Sequence, residues 1–371
     1  MKIAIFATNF LPTPPIKEKV IYAPLWLTKQ IAEGLAKKGH QVFLFASPDS
    51  TVKNVEIISL NLGPFSKNKK WKDCYKNSGA TWRSYIRENY EMTLASEMFK
   101  MARKGAFDVI QLHSRPRMIH FAKLVDIPVC FTMHDPPNYP PRSKAVRSIF
   151  EIIRCGDIKN LFLIGNSHAQ VNSAPELNWH KVIHHGIDTK LFAYSEKPKD
   201  YLAFAGRLIR QKGADIAIKA AIKTGQKLKI AGEHPPDRKK YWGRKIEPFL
   251  SRQITYEGML DKKRLAKFYQ GARALLMPTL CEETFGLVMA EAMSCGTPVI
   301  AFDKGAVPEV VQHEKTGFVV KSRKEMEKSI ALIDNIERRA CRDWVEQNFS
   351  LQRMINDYEN LYKELIKNSK N

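Results

Sequence analysis

Short runs of β-branched and aromatic residues alternate with amphipathic segments along the whole 371-residue chain. The first half contains seven such runs: KIAIFA, QVFLFAS, VEIISL, DVIQLH, PVCFTMH, LFLIGNS and KVIHHG. Six more follow from residue 201: YLAFAGR, KLKIAG, ITYEG, ALLMP, PVIAF and GFVV. Apolar runs of this length, separated by helical patterns, are typical of βαβ units and predict a mostly parallel sheet in each half.

The polar, proline-containing segment AYSEKPKD at residues 193–200 separates the two series of strands. Because a chain of this length is expected to form two domains, we predict an α/β protein with two doubly wound domains facing each other across a cleft. The first would span residues 1–192 and the second residues 193–349. Residues 350–371 have one apolar stripe at helical spacing, which predicts a terminal helix. This helix packs on its own domain or crosses back to the first.

The chain carries an excess of cations, with 60 Lys and Arg against 38 Asp and Glu and a net charge of +22. The excess is evenly spread, at +12 over residues 1–190 and +10 over residues 191–371, and no block of like charges indicates a basic tail. A solvated, lysine-rich surface is the first interpretation and a phosphate-bearing ligand the second. An anionic membrane surface and nucleic acid also stay open.

Six scattered cysteines include no Cys-x-x-Cys pair, which favours reduced thiols over a disulfide framework or a zinc ribbon. The opening MKIAIFATNF predicts a first strand rather than a signal peptide, and no apolar run approaches the ~18 residues that span a bilayer. We therefore expect a soluble cytoplasmic protein, with peripheral contact to an anionic membrane left open. The chain also lacks Gly-x-Gly-x-x-Gly, a Walker loop and Asp-x-Asp, so we expect no cofactor and no metal.

The segment GRLIRQKG directly follows a predicted strand and precedes a predicted helix. Arg207 and Lys212 flank its turn, where a fork-shaped donor and a point cation near a helix start would suit a phosphate. A surface turn with two solvated cations is the equal alternative.

The segment CEETFGLVMAEAMSCG predicts a helix that starts near Phe285 and ends at Gly296. Glu283 lies just before the first turn, beside backbone N–H groups that favour anions; a capping acid is its ordinary interpretation. Glu291 lies inside the apolar run and needs partners if it is buried. Because a carboxylate can accept both hydroxyls of a vicinal diol, two such acids beside a bound phosphate predict a nucleotide-sugar site.

Together these motifs resemble the retaining glycosyltransferases of family 4, which have the two-domain GT-B fold. The resemblance rests on EETFGLVMAEAMSCGTPVIAFDKGAVPEVV, YLAFAGRLIRQKG and HHGID. It implies two Rossmann-like domains, with the acceptor on the first and the nucleotide-sugar donor on the second. It also implies a hexosyltransferase that retains the anomeric configuration, with UDP-glucose as the first donor and GDP-mannose as the alternative. The hydroxyl acceptor and the oligomeric state cannot be read from it.

By this resemblance Glu291 would bind the ribose hydroxyls, Glu283 the hydroxyls of the transferred sugar, and Arg207 with Lys212 the diphosphate. The donor-binding set is Arg207, Lys212, Gly258, Met259, Glu283, Thr284, Phe285, Gly286, Leu287 and Glu291. The catalytic set is His134, Glu283, Arg207 and Lys212. An acid buried in an internal ion pair, or pointing to open water, would contradict the roles given to the two glutamates.

In the first half, His134 ends PVCFTMH and by the resemblance would face the donor sugar and β-phosphate. A strand-end histidine with a satisfied hydrogen bond is the alternative. His113 in DVIQLHSRP is a weaker second, either structural or on the acceptor side. The loop NFLPTPPIKEKVIYAP after the first strand lacks the Gly-Gly pair of the family, so close backbone approach to a ligand is not expected there. A lysine of this loop would substitute electrostatically, or the loop would serve an unusual acceptor.

Two alternatives to transfer stay open. The first is a nucleotide-sugar hydrolase or epimerase on the same fold. The second is a non-catalytic protein that binds nucleotide-sugars or polyanions, an interpretation supported only by the missing Gly-Gly pair. We expect no nucleic-acid partner, because the sequence contains no recognised motif for one.

Overall fold

The computed structural model describes residues 1–15, 23–60, 73, 77–113, 116–137, 158–234 and 239–369. The chain forms two compact units. Unit 1 consists of Met1–Asn166, Val171–Ile183 and Met354–Asn371, and unit 2 of Ser167–Gln170 and His184–Arg353.

Unit 1 contains a parallel sheet of seven strands in the order β3-β2-β1-β4-β5-β6-β7. The strands are β1 (Lys2–Phe6), β2 (Gln41–Phe45), β3 (Glu56–Ile58), β4 (Val109–Leu112), β5 (Val129–Thr132), β6 (Leu161–Gly165) and β7 (Trp179–Val182). The helices are α1 (Ala23–Lys37) and α2 (Ala80–Arg103), with a 3-10 helix over Pro116–Leu124. Helix α3 (His168–Asn172) begins in unit 2, which contains its first three residues, and ends in unit 1. Every residue of β4 and β5 is buried, as expected for central strands of a parallel sheet.

Unit 2 contains a parallel sheet of six strands in the order β10-β9-β8-β11-β12-β13. The strands are β8 (Leu202–Ala205), β9 (Leu228–Ala231), β10 (Ile254–Gly258), β11 (Ala274–Met277), β12 (Val299–Phe302) and β13 (Gly317–Val320). The helices are α4 (Ala214–Lys223), α5 (Lys239–Lys245), α6 (Lys262–Gln270), α7 (Leu287–Ser294), α8 (Val307–Val310), α9 (Arg323–Leu332) and α10 (Arg338–Asn348). Short 3-10 helices lie at Arg210–Lys212, Glu247–Phe249 and Ile333–Asn335.

The strand order of unit 2 reverses between β8 and β11. From β8 the chain moves outward through β9 to β10, and it then returns to place β11 on the other side of β8. In open α/β sheets such a switch point opens a crevice beyond the carboxyl ends of the strands, where ligands bind. The loops after β8 and β11 are therefore the first place to look for a site.

The last helix, α11 (Leu351–Ser369), returns to the first unit, which contains nearly all of its residues. Its apolar stripe is buried there, and its tyrosines join a buried polar group under the sheet. Tyr362 donates its hydroxyl to Gln111 Oε1 at 2.9 Å, and the hydroxyls of Tyr358 and Thr132 are 2.9 Å apart. The second of the two arrangements predicted for this helix is therefore the one observed.

The structure places the boundary between the units at Ile183 rather than at residue 192. Residues 184–192 belong to unit 2 because Ile187 donates its N–H to the carbonyl of Phe349 at 2.7 Å and Phe192 is buried in the unit 2 core. Unit 2 likewise continues past residue 349, to Arg353.

Each of the thirteen predicted apolar runs contains or overlaps a strand, and only β7 begins before its run, at Trp179. The predicted α/β class, with two Rossmann-like parallel-sheet units, is therefore confirmed. Among the helices of the described residues, none is both long enough and apolar enough to cross a bilayer.

Candidate functional site

The loops after β8 and β11 contact each other closely at the carboxyl edge of the unit 2 sheet. Gly213 has a left-handed φ of 73°, and a Cβ atom on it would lie 2.1 Å from the carbonyl oxygen of Pro278. The N–H of Leu280 donates to the carbonyl of Gln211 at 2.7 Å. Only glycine accommodates both the conformation and the contact at position 213. This close contact fixes the position of the loop after β8 relative to the loop after β11.

Glu283, predicted to receive sugar hydroxyls, forms an ion pair with Lys212 through Oε1. The hydroxyl of Thr279 donates to the same oxygen at 3.1 Å. The carbonyl of Glu283 accepts the N–H of Ala306 at 2.9 Å, which fixes its backbone against the loop after β12. Within the described residues Oε2 accepts no hydrogen bond. One oxygen of this carboxylate is therefore available to a hydroxyl group.

Glu291, predicted to bind ribose, lies in α7 with 8% of its side chain exposed. Lys262, the first residue of α6, places Nζ 3.3 Å from Oε1. Tyr269 of the same helix donates to Oε2 at 3.5 Å. Burial and the nearby charge of Glu291 raise the pKa of Tyr269 well above its ordinary value, so its phenol stays protonated and can donate. A buried carboxylate needs partners of this kind.

Both acids thus form ion pairs, and Glu291 is buried, which is the arrangement named above as contradicting the hydroxyl-binding roles. The lysines of the two pairs keep about a quarter of their side chains exposed, 24% for Lys212 and 29% for Lys262. The pairs therefore lie at the surface of the unit rather than sealed within its core. The roles of Glu283 and Glu291 remain predictions, with the lysines as new neighbours of each acid.

The predicted phosphate donors lie at the same edge of the sheet. Arg207 lies two residues after the end of β8, is exposed, and forms no hydrogen bond or ion pair with its side chain in the described part of the chain. Gly286, with φ of 81°, precedes α7. The N–H groups of Phe285, Gly286 and Leu287 donate to no acceptor among the described residues. A guanidinium and a free helix start together favour an anion.

Three further predicted residues occupy this edge. Gly258 ends β10 with φ of 72°, and its carbonyl accepts the N–H of Gly232 at 2.9 Å. Met259, half-buried, follows it, and Thr284, also half-buried, lies between Glu283 and the start of α7. Because β9 separates β10 from β8, Gly258 and Met259 mark the outer end of the candidate site.

The two candidate histidines belong to unit 1. His113 follows β4 and His134 lies just beyond β5, its neighbour in the sheet, and their Nδ1 and Nε2 atoms are 3.1 Å apart. Burial lowers the pKa of His134 to about 4. The imidazole is therefore neutral at pH 7, where it can donate or accept a hydrogen bond but supplies no positive charge. Its catalytic role stays a prediction. Residues 16–22 of the loop that lacks Gly-Gly, including its two lysines, lie outside the described residues.

Sequence analysis did not single out Glu309, the centre of a polar cluster in unit 2. Its oxygens accept the N–H groups of His168 at 2.8 Å and Ala169 at 2.5 Å, and His184 Nε2 lies 3.1 Å away. Burial acts to raise the pKa of Glu309, but these hydrogen bonds outweigh it and lower the pKa below the ordinary value of 4.5. The ligand atoms of His168, His184 and Glu309 lie within 4.8 Å of one another. Because both carboxylate oxygens already satisfy N–H groups at the start of α3, we interpret the cluster as a structural cap.

We expect Glu309→Gln to lower the free energy of unfolding by about 1–2 kcal/mol at pH 7, because charge-assisted hydrogen bonds to the cap are lost. The pKa of the carboxyl is lower in the folded chain than in the unfolded one. Its contribution is therefore complete above about pH 4.5 and disappears as the pH falls through the folded pKa. Melting curves by circular dichroism should show a gap between variant and wild type that narrows from pH 7 to pH 4. Glu196→Gln, at an exposed position, is the control. An equal gap at both pH values would contradict the interpretation.

The fold and the site define a class of protein. Two Rossmann-like parallel-sheet units, with cations and paired acids at the switch point of the second, are the features of a GT-B glycosyltransferase. Two family models match the chain, one described as Glycosyltransferase Family 4 over residues 26–191 and one as Glycosyl transferases group 1 over residues 188–350. The chain belongs to the family 4 glycosyltransferases.

N-acetyl-alpha-D-glucosaminyl L-malate synthase of Bacillus anthracis is 24% identical to this chain, over 92% of this chain and 94% of that protein. Curated relatives at 31% and 32% identity align over only 47% and 32% of their own length, so the chain spans less than half of them. Among solved structures, sucrose-phosphate synthase from Thermosynechococcus elongatus superposes with a TM-score of 0.73 at 20% identity, over 99% of both chains. Anabaena Alr3699/HepE in complex with UDP and glucose gives 0.71 at 16% identity, over 98% of this chain and 100% of that one. At these identities the likeness shows the fold.

Proposed function

We propose that this protein moves a hexose from a nucleoside diphosphate sugar to an acceptor hydroxyl, with the anomeric configuration retained. One observation carries the proposal: Arg207, the Lys212–Glu283 pair and the N–H groups at the start of α7 lie on neighbouring loops at the switch point of unit 2. UDP-glucose is the first candidate donor. The structural neighbour Alr3699/HepE, which is in complex with UDP and glucose, supports that choice.

The proposed chemistry places the main catalytic contribution on the leaving phosphate. As the bond between the sugar and the diphosphate breaks, negative charge grows on the phosphate oxygen. Arg207, Lys212 and the N–H groups before α7 would stabilise this charge, and a well-placed donor of this kind typically contributes about 3–4 kcal/mol. The acceptor oxygen forms the new bond to the anomeric carbon on the same face, and its proton passes to the departing phosphate.

The two acids would orient the donor rather than attack it. The free Oε2 of Glu283 would accept a hydroxyl of the transferred sugar, and Glu291 would accept the ribose hydroxyls.

Lys212 and Arg207 would carry the positive charge opposite the diphosphate, so we propose that transfer needs no metal. We expect turnover to be unchanged by EDTA.

The test is incubation with UDP-glucose and a panel of hydroxyl acceptors, with proton NMR of the products and an assay of released UDP. The expected product carries an α-linked sugar, because the donor linkage is α. A β-linked product would contradict retention. Sugar release without an acceptor would favour a hydrolase, and an altered donor sugar an epimerase. Calorimetric binding of UDP with no turnover on any acceptor would favour a non-catalytic binding protein.

A further inference from the structure

The partners of Glu291 lie on one helix. Lys262 is the first residue of α6 and Tyr269 is near its end, and the two contact different oxygens of the carboxylate, at 3.3 Å and 3.5 Å. Asp261 caps this helix by accepting the N–H of Arg264 at 2.8 Å, which fixes the backbone of Lys262. The packing of α6 against α7 therefore determines where the Glu291 carboxylate points.

The position of Lys262 in the chain links two parts of the candidate site. It follows shortly after Gly258 and Met259, the residues predicted to lie beside the nucleobase, and its ammonium contacts the acid predicted to bind the ribose. In a nucleotide the base and the ribose are joined by a single bond, so both would lie within reach of this segment.

We propose that Lys262 is a positioning residue for ribose recognition. It holds the Glu291 carboxylate in a fixed orientation, so that this acid discriminates a ribonucleotide from a 2′-deoxyribonucleotide. The inference rests on the proposed function, since it assigns a task to a residue of the same nucleotide site.

The chemistry of the pair suits this task. A carboxylate with 8% of its side chain exposed would lose much of its hydration, and a nearby ammonium compensates for that loss. A carboxylate has about four acceptor positions, and Lys262 and Tyr269 each use one of those of Glu291, so this carboxylate keeps acceptor capacity for ligand hydroxyls. Lys262 Nζ also lies 5.6 Å from the ring centroid of Phe192, within the range of a cation–π contact that restrains the side chain.

A purely structural role makes a different prediction. If Lys262 only neutralises a buried acid, its replacement lowers the melting temperature but changes the affinity for ribonucleotide and deoxyribonucleotide by the same factor. A positioning role changes their ratio, because the 2′-hydroxyl is the group that a misplaced Glu291 no longer binds.

The experiment is isothermal titration of the full-length protein with UDP and 2′-deoxy-UDP, and with GDP and 2′-deoxy-GDP. For the nucleotide that binds, we expect wild type to prefer the ribose form by about tenfold, the effect of one well-made hydrogen bond to a charged group. Lys262→Met should weaken binding of the ribose form by about tenfold and bring the ratio close to one. Lys262→Arg should restore most of the preference. Lys263→Met, at the exposed neighbouring position, is the control and should change nothing.

The outcomes separate the two proposals. Binding of neither UDP nor GDP by wild type would overturn the proposed function, and this inference with it. Tight binding of the ribose form with an unchanged ratio in Lys262→Met would overturn the role of Lys262 alone. If Lys262→Met does not fold, Lys262→Gln replaces it, since it keeps a hydrogen-bond donor without the charge. An intermediate ratio in that variant supports the inference, and a wild-type ratio overturns it.

Discussion

Arg207→Ala should lower the rate of sugar transfer by about 100- to 1000-fold, the usual effect of removing one donor to developing charge, and should leave the melting temperature unchanged. The guanidinium is exposed and has no side-chain partner within the described residues, so its removal costs no folding contact. A UDP-release assay with UDP-glucose measures the loss, and thermal melting checks the fold.

Arg210→Ala is the matched control for this variant. Arg210 is exposed in the same loop, in the short 3-10 helix after β8, and its replacement removes the same charge from the same neighbourhood. We expect it to keep most of its turnover. A large loss in both variants would indicate that general positive charge, rather than the position of Arg207, drives catalysis. Near-normal turnover of Arg207→Ala would contradict the phosphate role.

Gly213→Ala should weaken UDP binding by at least about tenfold and lower the free energy of unfolding by about 3 kcal/mol. The new methyl group would meet a backbone oxygen, that of Pro278 at 2.1 Å, and a backbone oxygen cannot turn away as a flexible side chain can. The loop after β8 must then move away from the loop after β11. This movement would increase the distance between Lys212 and Glu283, so the residues proposed to bind UDP would no longer lie together.

Gly225→Ala distinguishes this contact from backbone strain alone. Gly225 has a similar left-handed φ of 68°, but a Cβ atom there would have no neighbour within 4 Å. We therefore expect only the conformational cost of about 1 kcal/mol and unchanged UDP binding, measured by denaturant unfolding and calorimetry. Equal effects of the two substitutions would show that the contact between the loops is not needed for the site.

The sheets could be predicted from sequence because burial in a parallel sheet requires continuous apolar runs, which this chain separates clearly by turns. The strand predicted at KVIHHG begins two residues earlier, at Trp179. The polar residue after Trp179 interrupts the apolar run, so the pattern did not indicate this start. The residues of the donor-binding set could be proposed from sequence because they belong to local motifs beside a strand end or a helix, and their roles remain predictions.

The partners of these residues could not be predicted in the same way. Lys262 and Glu291 are 29 positions apart, and Glu309 and His168 are 141 apart. Each pair depends on how helices and loops pack, which no local pattern encodes. The same holds for the last helix, whose stripe predicted burial but not against which unit, and for Lys212, which was expected at a phosphate and pairs with Glu283.

We expect a nucleoside diphosphate to bind at the carboxyl edge of the unit 2 sheet, and a crystal structure of the protein with UDP would show whether it does. The diphosphate should lie within hydrogen-bond distance of Arg207, Lys212 and the N–H groups before α7, with the ribose hydroxyls on Glu291. UDP bound at any other place, or at this edge with its ribose away from Glu291, would contradict this expectation.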